Sequence, residues 1–379
     1  MTRVLVCCGA GGVGKTTLSA ALAVRLALAG RRVAVLTIDP ARRLADSLGL
    51  NELGDTPQRI QLATDCQAGE GCLHALVLDV EATFERLVRR SAPTSAAAER
   101  VLGNRYYRFA ATRLTGTHEY MAMERLQELV ESELYDAVVL DTPPTRHALD
   151  FLTAPDRLSR FLDRRVLKVL ALPRTVQGME RLQQRSGVVV SVLDRLVGSS
   201  TIREIAEFVS FLEELTDTIA PRVQAVRDQL HSARFYLVTT PVPAAQIEAL
   251  EFLQELQQRD LPFHGYLVNR CAPRPSGEQA PPLPSSIRAP EGMEPAVWDR
   301  ILQAVGASHE RFARLARHDD ASLAQLRHAA GPDAQIWTIP TLSQDATDLA
   351  ALEQLGRHLP GLDDDGEPAA AYSTAPPKS

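Results

Sequence analysis

The chain has 379 residues, 45% hydrophobic and 23% charged, enough for one large α/β core or two domains. A formal net charge of −6 and only short basic runs, such as Arg31-Arg32 and Arg164-Arg165, exclude an electrostatic footprint for nucleic acid. No apolar run has the length of a membrane span, no signal peptide is read, and five scattered cysteines (Cys7, Cys8, Cys66, Cys72, Cys271) fit a reducing cytoplasm better than a disulfide framework or a zinc site.

The first predicted strand, Val4–Cys8, runs into Gly9-Ala10-Gly11-Gly12-Val13-Gly14-Lys15-Thr16-Thr17 and then a helical pattern from Leu18 to Leu28. Strand, glycine turn and helix make a phosphate cradle, and the spacing fits G-x-x-x-x-G-K-[ST]. Glycines let successive backbone N–H groups converge on phosphate oxygens, and the helix adds its positive end. Lys15 can reach the β- and γ-phosphates, and the Thr16 hydroxyl can ligate Mg²⁺. Gly9, Gly11 and Gly14 also spell G-x-G-x-x-G, but the dinucleotide fingerprint does not need Lys-Thr after its third glycine. A glycine turn without ligand is the remaining alternative.

The second predicted strand, Val33–Ile38, ends in Asp39-Pro40-Ala41-Arg42-Arg43-Leu44-Ala45-Asp46. An Asp there either caps a helix or, across from the phosphate loop, orients an attacking water. The third, Ala75–Leu78, leads to Asp79, read as a helix cap, and a helical stretch from Glu81 to Arg90. The fourth, Ala137–Leu140, ends in Asp141-Thr142-Pro143-Pro144-Thr145-Arg146-His147-Ala148-Leu149. Four apolar residues and then Asp form the second half of a P-loop nucleotide site, with Asp141 holding Mg²⁺ through a water. The stiff Thr-Pro-Pro-Thr turn suits a γ-phosphate sensor, which marks Pro144 as a switch candidate; His147 is a switch residue or a helix histidine with no role.

Residues 155–232 carry almost no strand signal. Val188–Leu196 is strongly apolar, and Ile202, Ile205, Val209, Leu212, Leu215, Ile219, Val223, Val226 and Leu230 form a helical stripe that Pro221 should kink or interrupt. An inserted helical subdomain is expected over about 155–232, with a smaller helical piece at about 81–132. Its apolar faces form its own core or a groove for a hydrophobic client or partner. The fifth strand is Phe235–Thr239; the sixth, Tyr266–Val268, ends in Asn269-Arg270, where a carboxamide can pair with adenine or simply make a turn. A mobile Pro-rich loop is expected at 274–294, a helix from Pro295 to Ala329, and a last strand Gln335–Ile339 ending in Pro340, where a base can pack. A closing helix over Gln344–Leu359 precedes a tail, 361–379, expected to be disordered.

Continuous apolar strands alternating with helices predict an α/β, doubly wound, mostly parallel sheet of about seven to eight strands, with ligands at the strands' carboxyl ends. The P-loop domain spans about 1–360.

Taken together, the P-loop, Asp39-Pro40-Ala41 with Leu44 and Asp46, Asp141-Thr142-Pro143-Pro144-Thr145 with His147 and Leu149, and Val268-Asn269-Arg270 resemble, in order and spacing, the arsenite-pump ATPase family. That family includes the ATPase that targets tail-anchored membrane proteins, and it belongs to the dimeric P-loop class of nitrogenase iron protein and the Min and Par ATPases. Gly116–Glu124 looks most like its bacterial branch. The resemblance implies a Mg²⁺-dependent ATPase that closes as a dimer, coupling nucleotide state to the helical subdomain. By position it implies that Gly9, Gly11, Gly12, Val13 and Gly14 cradle the phosphates, Lys15 binds the β- and γ-phosphates, Thr16 binds Mg²⁺ and Thr17 contacts the α-phosphate. It further implies that Asp39 orients the water, Asp141 supports the magnesium shell and Asn269 reads adenine. Many members carry a lysine where this chain has Ala10. Arg42, Arg43, Arg146 or a paralogous partner in a heterodimer can supply the missing charge, or the arginines are ordinary surface residues. The zinc Cys-x-x-Cys pair of the targeting ATPase and a soft arsenite-binding cysteine cluster are both missing from the sequence. Three outputs follow: targeting of hydrophobic clients, energising an anion pump, or a low-turnover positioning switch.

Overall fold

The structure is a computed structural model describing residues 2–39, 41–62, 71–103, 117–144, 152–154, 221–273, 289–331, 334–342 and 346–362. Its framework is an eight-stranded sheet in the order β3-β4-β2-β5-β1-β6-β7-β8. The strands are β1 (Arg3–Gly9), β2 (Arg32–Thr37), β3 (Gln58–Ile60), β4 (Cys72–Val77), β5 (Ala137–Asp141), β6 (Arg234–Thr239), β7 (Phe263–Cys271) and β8 (Gln335–Pro340). Every neighbouring pair is parallel except β3 with β4.

The doubly wound architecture follows from the pleat. Along β1, Val4, Val6 and Cys8 face one apolar layer, and Leu5 and Cys7 face the other. The first layer is built from α3 (Val80–Ser91), α4 (Ser95–Leu102), α5 (Thr117–Glu131), α6 (221–232) and α7 (Pro243–Gln258), joined by the end of α8 (Pro295–Ala330). The second is built from α1 (Lys15–Leu28), α2 (Arg43–Ser47) and α9 (Leu349–Gly356). Because both faces are covered, the strands read as unbroken apolar runs. Each fully buried Leu or Val contributes about 1.5–3 kcal/mol of burial free energy.

Three strands differ from the sequence reading. β3 escapes it because Gln58-Arg59-Ile60 is short, and only Ile60 is buried; its pairing with β4 supplies the order that its composition does not. β4 begins at Cys72, three residues before the apolar run, because His74 interrupts the pattern while keeping its place in the ladder with β2. β7 continues through Asn269 to Cys271, where a register shift accommodates Arg270 at φ 59. Among caps, Asp79 accepts from the Ala82 N–H at 2.9 Å and starts α3 as expected.

The described parts of 81–132 and 155–232 pack into the first layer. Leu87, Val88, Met121, Leu126, Val223, Val226 and Leu230 share one core with β1, β2 and β5. Residues 104–116, 145–151, 155–220, 274–288 and 363–379 lie outside the described residues; so do Cys66, Val188–Leu196, most of the apolar stripe, most of the Pro-rich loop and nearly all of the tail. Among the described residues, no helix is long and apolar enough to cross a membrane.

Buried charge ties the first layer together. Arg222, at the start of α6, pairs with Glu124 of α5 at 2.6 Å, and the Glu124 side chain has no solvent exposure. Burial raises the Glu124 carboxyl above the usual carboxylate range, against the pull of Arg222. Arg86 and Arg125 close a second network with Asp55 and Glu128.

Candidate functional site

The order β2-β5-β1-β6 brings the carboxyl ends of four strands to one edge, with the glycine loop at its centre. Gly9 ends β1 where β6 passes so closely that a Cβ would sit 2.1 Å from the Val238 carbonyl oxygen. Gly14, at φ +94, precedes α1, and a Cβ there would lie 2.3 Å from Asn269 Nδ2. Gly11 and Gly12 are exposed, and nothing lies within 4 Å of their Cβ positions. The loop is therefore tight at its ends and open in the middle. Gly14 gives α1 no side-chain cap, and its first turn carries no acidic residue, which leaves its N–H groups available to an anion.

Lys15 is 8% exposed, and its ammonium donates to the Ala10 carbonyl at 2.8 Å. Burial lowers its pKa, while the Asp141 charge works the other way. Ala10 is itself buried, so this position offers a backbone carbonyl and no charge.

Asp141 closes β5 inside the sheet with no solvent exposure. Thr16 Oγ1 and Thr37 Oγ1 each donate to its Oδ2 at 2.8 Å, and Ser19 Oγ donates to Oδ1 at 3.4 Å. Desolvation pushes its pKa up from 3.8 to about 6, resisted by the Thr16 and Thr37 hydrogen bonds and then by Lys15. The sequence reading includes Thr16 but not Thr37 or Ser19. Thr37 is hidden as one more β-branched residue at the end of an apolar strand, and Ser19 as a small residue on α1.

Asp39 follows β2. Its Oδ1 accepts from the Ala41 N–H at 3.0 Å, and its Oδ2 lies 3.4 Å from Arg43 Nη1. Its own N–H donates to Thr37 Oγ1 at 3.3 Å. Of the candidate arginines, Arg43 is thus beside the Asp39 carboxylate. Arg42 is 73% exposed and faces Glu52 at 4.0 Å. Pro144 is exposed past the end of β5, while Thr142 is pinned to β1 by hydrogen bonds to the Cys7 carbonyl. Pro40, Arg146 and His147 lie outside the described residues.

Asn269, near the end of β7, packs against the glycine loop. Its Nδ2 donates to the Val13 carbonyl at 2.9 Å, and its Oδ1 accepts from the Arg270 N–H at 2.9 Å. It clamps the glycine loop while keeping one N–H and one lone pair for a further partner. Pro340 sits half-buried at the end of β8, beside Cys271. Thr17 lies half-buried in the first turn of α1. Cys7 and Cys8 are core residues whose thiols burial pushes up to about 12.

The donor set at Thr16 and Asp141 is hard oxygen beside an open anion cradle, which fits Mg²⁺ held jointly with phosphate oxygens.

A family model described as anion-transporting ATPase matches residues 2–286. Individual relatives extend the likeness. A putative arsenical pump-driving ATPase of Prosthecochloris vibrioformis is 34% identical over 168 residues, covering 41% of this chain and 36% of the relative. ATPase GET3 of Podospora anserina is 26% identical over 71% of this chain and 74% of its own length. Protein Rv2184c of Mycobacterium tuberculosis is 32% identical over 71% of this chain and 59% of its own length. The match therefore spans little more than a third of the arsenical pump relative but about three quarters of the GET3 one.

Proposed function

This chain belongs to the anion-transporting ATPase family, and from that premise we propose that it is a Mg²⁺-dependent ATPase whose nucleotide cycle drives a dimeric switch. The observation that carries the reading is the convergence of Lys15, Thr16 and Asp141 on the open glycine loop. The loop amides and Lys15 hold the β- and γ-phosphates. Lys15 exchanges the Ala10 carbonyl for phosphate oxygen, and Thr16, backed by Asp141, would hold Mg²⁺. When bound, Mg²⁺ would supply charge neutralisation for the phosphates. Asp39 accepts a hydrogen bond from the attacking water, which adds to the γ-phosphorus as the bond to the β–γ bridging oxygen breaks. ADP and inorganic phosphate leave, and the water's proton passes to phosphate or solvent. Arg43, beside Asp39 and largely exposed, is the described arginine placed to add the positive charge that Ala10 lacks. Asn269 holds the loop and offers its spare donor and acceptor to adenine, with Pro340 beside the base.

A cytoplasmic dimer, with itself or with a paralogue, that handles a hydrophobic client or membrane partner is the output we favour. Its support is the GET3 relative's coverage of most of this chain. The arsenical pump relative favours a second reading, the energising subunit of an anion efflux system. Among the described residues Cys7, Cys8 and Cys271 are buried and only Cys72 is partly exposed, which works against that one, because buried thiols are poor arsenite ligands. The test is a pull-down with ATP-loaded Asp39→Asn protein. Apolar helical segments captured only with ATP support the targeting role. Hydrolysis stimulated by arsenite or antimonite supports the efflux role instead.

A further inference from the structure

We propose that Thr37 is a positioning residue that links the metal-side carboxylate, Asp141, to the water-side element that begins at Asp39. The proposal rests on the reading of the site as a Mg²⁺–ATP centre. Thr37 and Asp141 lie opposite each other in the β2–β5 register, and Thr37 is 1% exposed. Its hydroxyl proton goes to Asp141 Oδ2 at 2.8 Å, and a lone pair of the same oxygen takes the Asp39 N–H at 3.3 Å. A hydroxyl has one proton to give. The bonds therefore run in one direction, from the Asp39 amide through Thr37 to the Asp141 carboxylate. A second bond, Ile38 N–H to the Asp141 carbonyl at 3.2 Å, stitches the same strand ends together.

Asp141 Oδ2 carries two donors, Thr16 and Thr37. When Thr16 turns toward Mg²⁺, Thr37 is the donor that keeps this oxygen oriented. Any shift of the carboxylate then reaches the Asp39 peptide, whose side chain folds back on the Ala41 N–H. Thr37 thereby reports metal occupancy to the turn that carries the water-orienting group. A purely space-filling threonine would contribute stability and nothing to this coupling.

The experiment uses the full chain with Thr37→Val, which keeps the shape and removes the hydroxyl, and Thr37→Ser, which keeps the hydroxyl. Binding of a non-hydrolysable ATP analogue is measured by calorimetry with Mg²⁺ and with chelator, and amide exchange is followed over residues 37–46. For Thr37→Val the expected result is a loss of Mg²⁺-dependent affinity on the order of 10–100-fold, the usual effect of removing a group that orients a metal ligand. Chelator-state affinity should be unchanged, Mg²⁺-dependent protection near Asp39 lost, and kcat lowered more than KM is raised. Thr37→Ser should restore all of these. Should Thr37→Val not fold, Thr37→Ala, which also removes both the donor and the acceptor, replaces it with the same expectations. A folded Thr37→Val or Thr37→Ala with wild-type Mg²⁺ coupling and exchange overturns the link. So does a Thr37→Ser protein as impaired as the valine variant. Absence of Mg²⁺-dependent ATP binding in the unaltered protein overturns the underlying site reading, and the link with it.

Discussion

Asn269 Nδ2 donates to the Val13 carbonyl at 2.9 Å, joining the end of β7 to the glycine loop across 256 positions of sequence. The carboxamide is thus both a clamp on the phosphate loop and a candidate for contact with the base. Asn269→Ala should leave a buried carbonyl unpaired, at a cost of about 1–3 kcal/mol. Calorimetry should show ATP binding weakened on the order of 10-fold and preference over GTP reduced. Asn269→Asp removes the donor and adds negative charge beside the phosphates, so it should weaken binding further. Wild-type affinity in the aspartate variant would remove Asn269 from the site.

Gly14→Ala tests the other side of the same contact. The added methyl group would meet Asn269 Nδ2 at 2.3 Å, in a backbone conformation with φ +94 that side chains rarely adopt. A lowered thermal midpoint and loss of the ATP-induced shift in that midpoint are expected. A variant that keeps both would show that the loop tolerates the strain.

In the ligand-free protein the contribution of Asp141 to stability should fall with rising pH in one window. Asp141 has a native pKa raised from 3.8 to about 6, so between those values the folded chain binds more protons than the unfolded one. Stability from this group is therefore greatest at the acid end, falls as pH rises from about 4 to about 6, and stays level above. Asp141→Asn removes the effect. Thermal midpoints measured without nucleotide should show this variant gaining on the wild type across that window, while its Mg²⁺-dependent hydrolysis is lost.

The first layer's buried ion pair predicts a strong non-additivity. Arg222→Met strands the fully buried Glu124 carboxylate and should cost about 3–5 kcal/mol in denaturant unfolding. Adding Glu124→Leu should recover most of that loss. Equal stability of the single and double variants would mean that Glu124 is solvated or protonated without its partner.

Much of the fold is legible in the sequence, for physical reasons that also mark its limits. Continuous apolar runs such as Ala137–Leu140 and Val33–Leu36 announce strands buried on both faces, and the glycine loop and Asp141 follow from spacing. β3 is hidden because an edge strand of Gln58-Arg59-Ile60 needs only one buried side chain. Thr37 cannot be recognised from sequence, since its contact with Asp141 comes from register, and register belongs to the pairing of strands rather than to either strand alone. Asn269 is found by its place at a strand end, but its hold on Val13 depends on how closely β7 and the loop approach. Arg42 and Arg43 look alike in sequence, and the geometry separates them by placing Arg43 at Asp39.

The most direct test of the central claim is the rate of ATP hydrolysis, with Mg²⁺ and with chelator, for the unaltered chain beside Lys15→Ala. The account predicts hydrolysis that requires Mg²⁺ and vanishes in the variant, because the variant loses the ammonium held at the phosphate loop by the Ala10 carbonyl. Full activity in Lys15→Ala would contradict it.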